Sequence, residues 1–383
     1  MQYEDRIDQF LSSQLEQSLA ELSNLCRQPS VSAHNWGLEE TAGLVARMLE
    51  KRGFAVRVFP TAGAPIVFAE RGGRSPRTLL FYNHYDVQPA EPLELWESPP
   101  FEPSLRDGKL FGRGVSDDKG HFVNRLFAID AVLAAYGELP CGIKFVVEGE
   151  EEVSSEHLEE FVHHHKDLLA ADACIWEFGA VDSRDVPLQH LGLRGICYVE
   201  LSVETANQDV HSGLGGSIFP NAAWRLIWAL ASLKNEQERI LIDGFYDRVR
   251  PPSPRDLEYM AALPDNSQEY RDRYGISGFL NDMVGGVDLR VAEVFHPTCT
   301  ICGLTSGYQG PGVKTVLPTK ASAKIDFRLV PDQSPQEILQ LLREHLDRRG
   351  FQDVHITDLG SEPAARTDPD HPFVTLVVES AQD

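Results

Sequence analysis

The chain has no apolar run approaching the roughly 18 residues that a bilayer-spanning helix needs. It also lacks a basic segment followed by an apolar one at its start, where MQYEDRIDQFLSSQLEQSLAEL is acidic and amphipathic. A helical membrane span and a secretory leader are therefore not expected, and the cytoplasm is the expected location. Basic residues are scarce: 35 Lys and Arg stand against 58 Asp and Glu, a formal charge of −23. Such a surface repels phosphate backbones and anionic lipids, which argues against nucleic acid and membrane as partners. It is compatible with a site that collects cations. Cysteine is sparse as well. Cys26, Cys141, Cys174, Cys197, Cys299 and Cys302 mostly sit in apolar, strand-like contexts and are expected to be buried, reduced thiols. Cys299-Thr-Ile-Cys302 has no second pair to complete a zinc ribbon. Internal repeats and low-complexity tracts are absent too.

What remains has the composition of a soluble globular protein, with 42% hydrophobic and 24% charged residues. A chain of 383 residues exceeds one ordinary core and predicts two domains. Helical periodicity marks residues 3–26 and 37–52, with Gly53 as a C-cap. Strands are predicted at Ala55–Phe59, Ile66–Glu70, Thr78–Asp86, Cys141–Glu148 and 172–177, with helices at Lys119–Tyr136 and 155–169. The alternation predicts an α/β domain, a mostly parallel sheet flanked by helices. After Gly195 the pattern changes to strand Ile196–Glu204, helix Asn221–Leu233, a polar Pro-containing stretch 250–275, strand Ala321–Val330, helix Pro335–Arg348 and strand Val354–Leu359. This reads as an α+β module of the ferredoxin-like kind at 196–358. It is inserted into a first domain made of 1–195 and 359–383, where Pro372–Ala381 resumes a helix.

Three predicted strands end in acids or histidine: His84 and Asp86 after LLFYN, Glu151 and Glu152 after IKFVV, Glu177 after ACIW. Sites in open α/β sheets lie at the carboxyl ends of strands, so these residues are expected to converge. A two-metal hydrolytic site needs N and O ligands, one bridging, and a free carboxylate to take a proton from water. Asp86, two positions from His84, can fix its tautomer. Asp117 and Asp118 follow a glycine-rich turn at a helix start, where either could instead be an N-cap. Glu148-Gly-Glu-Glu-Glu152 places adjacent carboxylates where one can bind metal and the other stay free with a raised pKa. His163, His164 and His165 occupy successive helical positions, point different ways and are not a metal cluster.

HYDVQP, GRGVSDDKG, EGEEEVSS and DVHSGLGG, in this order, resemble the zinc metallopeptidase family of carnosinases, cytosolic nonspecific dipeptidases, aminoacylases, acetylornithine deacetylases and glutamate carboxypeptidases. The resemblance runs from about residue 20 onward, and FRLVP with the long insert tilts it to the dipeptidase branch. It implies two divalent ions, Zn2+ first, with Mn2+ or Co2+ also fitting such ligands. His84, Glu152 and Glu177 would bind metal, Asp117 would bridge, Asp86 would orient His84 and Glu151 would be the general acid/base. The family often carries its second-metal acid one position later, at Phe178 here, so Glu177 is the acid available. A cis peptide is implied after Asp117. His211 would reach the partner subunit's site and stabilise the oxyanion, and Thr315 and Arg328 would grip the substrate carboxylate. The implied substrates are dipeptides or short peptides, with N-acyl amino acids as the alternative, and the implied assembly is a homodimer through the inserted domain.

The family pattern continues into a further Gly-rich segment and a histidine ligand beyond the last helix, whereas this sequence stops at Asp383. His345, His355 and His371 lie in the wrong segments to replace it. The resemblance therefore implies a C-terminally incomplete metal shell. That fits a piece of a longer hydrolase, or a homologue without catalysis that serves as a dimeric scaffold.

Overall fold

The computed structural model describes residues 3–177, 179–182 and 186–381. The chain divides into two compact units, 1–189 and 190–383, so residues 359–383 fall in the second.

In the first unit, α1 (Tyr3–Arg27) and α2 (Leu38–Glu50) precede β1 (Ala55–Phe59), β2 (Ile66–Arg71) and β3 (Thr78–His84). They are followed by α3 (Lys119–Tyr136), β4 (Gly142–Glu148), α4 (Leu158–His164) and β5 (Ala173–Ile175). The five strands form one sheet in the order β1-β2-β4-β3-β5. It is a mixed sheet rather than a mostly parallel one. β3 runs parallel to β4 and β5, while β1–β2 and β2–β4 are antiparallel. The connection between β1 and β2 is too short for a crossover, so a hairpin is the available geometry.

The core fills with Phe122, Leu126, Phe145 and Val147, all at most 1% exposed, beneath α2 residues Val45 and Leu49. Arg52, 6% exposed at its side chain, is bonded to both Glu21 and Asp130 and ties α1 and α3 to the end of α2. The helix expected at 155–169 breaks at His165, whose ring packs 4.7 Å from both Phe59 and Phe161. His163 and His164 face Glu159 and Glu160 one turn back on the helix surface.

The second unit contains β6 (Gly195–Glu204), α5 (Ala222–Ala231), α6 (Pro254–Ala262), α7 (Ser267–Tyr274), α8 (Gly286–Phe295) and β7 (Thr300–Ser306). Then come β8 (Lys320–Leu329), α9 (Pro335–Arg348), β9 (His355–Glu362) and α10 (Pro372–Ser380). The sheet is antiparallel in the order β7-β8-β6-β9. With α5 and α9 this is the β-α-β-β-α-β arrangement of ferredoxin-like modules. β7 escapes a sequence reading because its side chains are exposed on both faces of an edge strand, which erases the alternation. The polar stretch 250–275 is helical in two pieces. The first is started by a reciprocal Ser253/Asp256 capping box with Pro254 in the first turn, a local signal that outweighs the polar composition.

Of the six thiols, all free, Cys26, Cys197 and Cys299 are buried, whereas Cys174 and Cys302 are exposed. No helix among the described residues is long and apolar enough to cross a membrane.

Leu126→Ala should lower the unfolding free energy by about 2–5 kcal/mol, the cost of an unfilled cavity at a side chain with 0% exposure. Urea denaturation measures it, and a loss below about 1 kcal/mol would show that α3 does not anchor this core.

Candidate metal centre

The two parallel pairings of β3 set the site. His84 lies opposite Glu148 at the end of β4, and Phe81 lies opposite Ile175 at the end of β5. Three chain segments therefore leave the sheet at one edge: the turn after His84, the short 3-10 turn Glu151–Val153, and the segment entering Glu177. Gly149 is required where the chain passes from β4 into the second of these. A Cβ there would stand 2.3 Å from the ring of Tyr85, which is buried and donates to Pro65 O at 2.7 Å.

His84, 1% exposed, is the hub. Its Nε2 is 2.9 Å from Asp117 Oδ1, 3.6 Å from Glu177 Oε2 and 3.9 Å from Glu151 Oε2. Its Nδ1 lies 3.2 Å from Asp86 Oδ1 and 3.1 Å from Asp86 O. Asp86, fully buried, also accepts from Glu151 N at 3.2 Å and Glu152 N at 3.0 Å. One carboxylate thus orients the imidazole and pins the acidic turn beside it. The carboxylate of Glu152 accepts from Gln88 Nε2 at 2.7 Å.

The Asp117–Asp118 peptide is cis. Asp118 occupies the N-cap position of α3 yet makes no capping bond. Its buried Oδ2 accepts from Asn83 Nδ2 at 2.6 Å and from His84 N at 3.0 Å, and its Oδ1 lies 2.9 Å from His121 Nδ1. His84, Asp118 and Glu177 offer ligand atoms within 4.8 Å of one another. Asn83 and His121 carry no signal in the sequence, and Asp118 stands there only as one of two adjacent acids at a helix start without a ligand role. The doubled acid in SDDKG was its only signal, and which of two adjacent carboxylates turns inward is decided by the fold.

The electrostatics are those of a cation site. Burial opposes charge on His84, but bonds to Asp117 and Asp86 outweigh it and push its pKa to about 12. The His84 bond holds Asp117 below the usual carboxylate range. Burial, with Glu151, Asp118 and Asp117 nearby, pushes Glu177 up to about 8. Burial and the neighbouring carboxylates also raise Glu151. Glu177 Oε2 is buried without a hydrogen-bond partner among the described residues. One imidazole nitrogen, several carboxylates and a buried orphan oxygen aimed at them fit a borderline divalent cation. Phe178, the alternative acid position, lies outside the described residues.

In the second unit His211 and Thr315 meet: Nε2 is 2.9 Å from Thr315 Oγ1, and Nδ1 accepts from Gly213 N at 3.0 Å. An acceptor at Nδ1 puts the ring proton of the neutral imidazole on Nε2, which makes that atom a donor. Arg328 is exposed on β8, with Nε donating to Asp326 Oδ2 at 3.2 Å.

Glu148 supplies a pH test. It is buried against Tyr82 OH (2.5 Å) and Ser155 Oγ (2.8 Å), and burial raises it from 4.5 to about 7 against those two donors. A carboxyl that binds its proton more tightly folded than unfolded stabilises the fold below the unfolded pKa. That contribution is lost as pH rises through the folded one, here between 4.5 and about 7. In chelator-treated protein this should cost on the order of 3 kcal/mol. Glu148→Gln should flatten the decline in urea stability across that range, and equal slopes in both proteins would refute the assignment.

Residues 80–383 match the peptidase family M20/M25/M40. The chain is 33% identical over 286 residues to the Beta-Ala-His dipeptidase of Mus musculus, covering 74% of this chain and 58% of that protein. It is 30% identical over 297 residues to the Cys-Gly metallodipeptidase DUG1 of Saccharomyces cerevisiae, covering 76% and 61%. The chain thus spans less than two thirds of these curated relatives. Among solved structures it resembles the M20 family metallo-carboxypeptidase Sso-CP2 from Sulfolobus solfataricus, with TM-score 0.87 and 35% identity over 95% of this chain and 83% of that one. Human carnosine dipeptidase 1 gives TM-score 0.74 at 26% identity over 97% and 82%. With the family match extending over most of its length, the chain belongs to the M20/M25/M40 peptidases.

Proposed function

We propose that this chain carries the metal centre of a hydrolase that cleaves the amide bond of dipeptides or short peptides. The observation that carries the reading is the convergence of Asp117, Glu177 and Glu151 on His84 Nε2 at 2.9, 3.6 and 3.9 Å. Two relatives named dipeptidases support the substrate class. In this reading His84, Asp117, Glu152 and Glu177 hold two divalent ions, Zn2+ first. Bound metal would polarise the scissile carbonyl and acidify water. Glu151, whose carboxylate lies 3.9 Å from His84 Nε2, takes the proton of the attacking water and delivers it to the leaving amine. Its raised pKa suits both halves of that transfer. Asp86 keeps the His84 ring in the tautomer that leaves Nε2 for metal. His211 of the partner subunit offers its Nε2–H to the developing oxyanion, and Thr315 and Arg328 receive the substrate carboxylate.

We read 196–358, with the rest of β9, as the lid and dimerisation domain. Trp224, Trp228, Ile301 and Leu304 are each more than half exposed on α5 and β7, an apolar surface beside an edge strand. Six free thiols fit a reducing, cytoplasmic setting.

Glu151→Gln should lower kcat on a dipeptide panel by about 10²–10⁴ while metal content is unchanged. Normal turnover with metal bound would sink the assignment. For the dimer, Trp228→Glu should shift sedimentation toward the monomer, and an unmoved sedimentation coefficient argues against that surface.

A further inference from the structure

We infer that Arg125 is a positioning residue that fixes Glu177 for metal binding, a step that rests on the metal-centre reading above. The β3–β5 ladder ends at the Phe81–Ile175 pair. Beyond it the strands hold no further register, yet His84 lies three residues on along β3 and Glu177 two residues on from the end of β5. Arg125, on α3, spans this gap. Its Nη1 donates to Tyr82 O at 2.6 Å and to Asn83 Oδ1 at 2.6 Å, and its Nη2 donates to the carbonyl of Trp176. A guanidinium therefore stands in for the missing rung between the two strand ends. Asn83 passes the constraint on, since its amide donates to Asp118 Oδ2 at 2.6 Å and that same oxygen accepts from His84 N. The Trp176 ring lies stacked on Tyr82, with centroids 3.8 Å apart and planes at 16°.

The need for such a clamp follows from Glu177 itself. Its Oε2 is buried without a hydrogen-bond partner among the described residues, and His84 Nε2 at 3.6 Å is too far to fix it by a hydrogen bond. Its direction is set by its main chain, and the main chain immediately before it is held by Arg125 and the Trp176–Tyr82 stack. The fixed fork of a guanidinium reaches both strand ends at once, whereas an ammonium or amide of similar length cannot. Residues that orient metal ligands typically change affinity about 10–100-fold when removed.

Zinc titration of the full chain against a competing chelator tests this, with Glu177→Ala defining the uptake that depends on Glu177. Arg125→Met should weaken that uptake by about 10–100-fold, Arg125→Lys should restore part of it, and adding Glu177→Ala to Arg125→Met should cost little more, because both remove one unit. A purely structural arginine would lower the melting temperature of the metal-free protein and leave zinc affinity as in the parent. A folded Arg125→Met with parental affinity therefore overturns the inference while the metal-centre reading stands. If the parent shows no uptake sensitive to Glu177→Ala, the reading falls and the inference with it. Should Arg125→Met not fold, Arg125→Lys carries the same comparison, and parental affinity in it overturns the inference.

Discussion

The position of β3, parallel to a strand on each side, is the constraint on which the rest of the centre depends. Parallel neighbours end at the same edge, so residues far apart in the chain are delivered to one place by backbone register. His84, the acidic turn after β4 and Glu177 meet for this reason. The antiparallel hairpin of β1 and β2 widens the sheet and takes no part in that convergence.

Gathering so many carboxylates around one buried imidazole is electrostatically unfavourable unless a positive charge sits among them. In the metal-free protein His84 carries that charge, which is why its proton is held so tightly. A divalent ion would replace that proton, so metal uptake and proton release are coupled here. The supporting groups lie on separate elements and act on the backbone as much as on side chains. Asp86 ties two amides of the acidic turn to His84, Asp118 ties the start of α3 to β3, and Arg125 ties β3 to the segment before Glu177.

Several elements were legible because local chemistry and tertiary demand agree. Ala55–Phe59, Lys119–Tyr136 and Pro335–Arg348 have the ends that periodicity and capping predict. β7 was hidden because an exposed edge strand has no buried face to produce alternation. The helices around 254–274 were hidden by polar residues, despite the Ser253-Pro254 start signal. Mixed pairing in the first sheet was not legible, since strand direction is a property of neighbours rather than of any one strand. His84, Asp86, Glu151 and Glu177 were visible as polar residues ending apolar runs. The inward turn of Asp118 and the role of Arg125 were not, because an acid at a helix start and an arginine within a helix look the same whether they face solvent or the sheet.

The strand ends, the acidic character of the centre and the family resemblance are all written in contiguous residues and can be read without the fold. Folding is what turns Asp118 inward while Asp117 faces His84, gives Asp86 three partners and lets Arg125 close the gap between two strand ends. Those outcomes depend on distances between segments tens of residues apart, which are set by sheet register and by the packing of α3 across it.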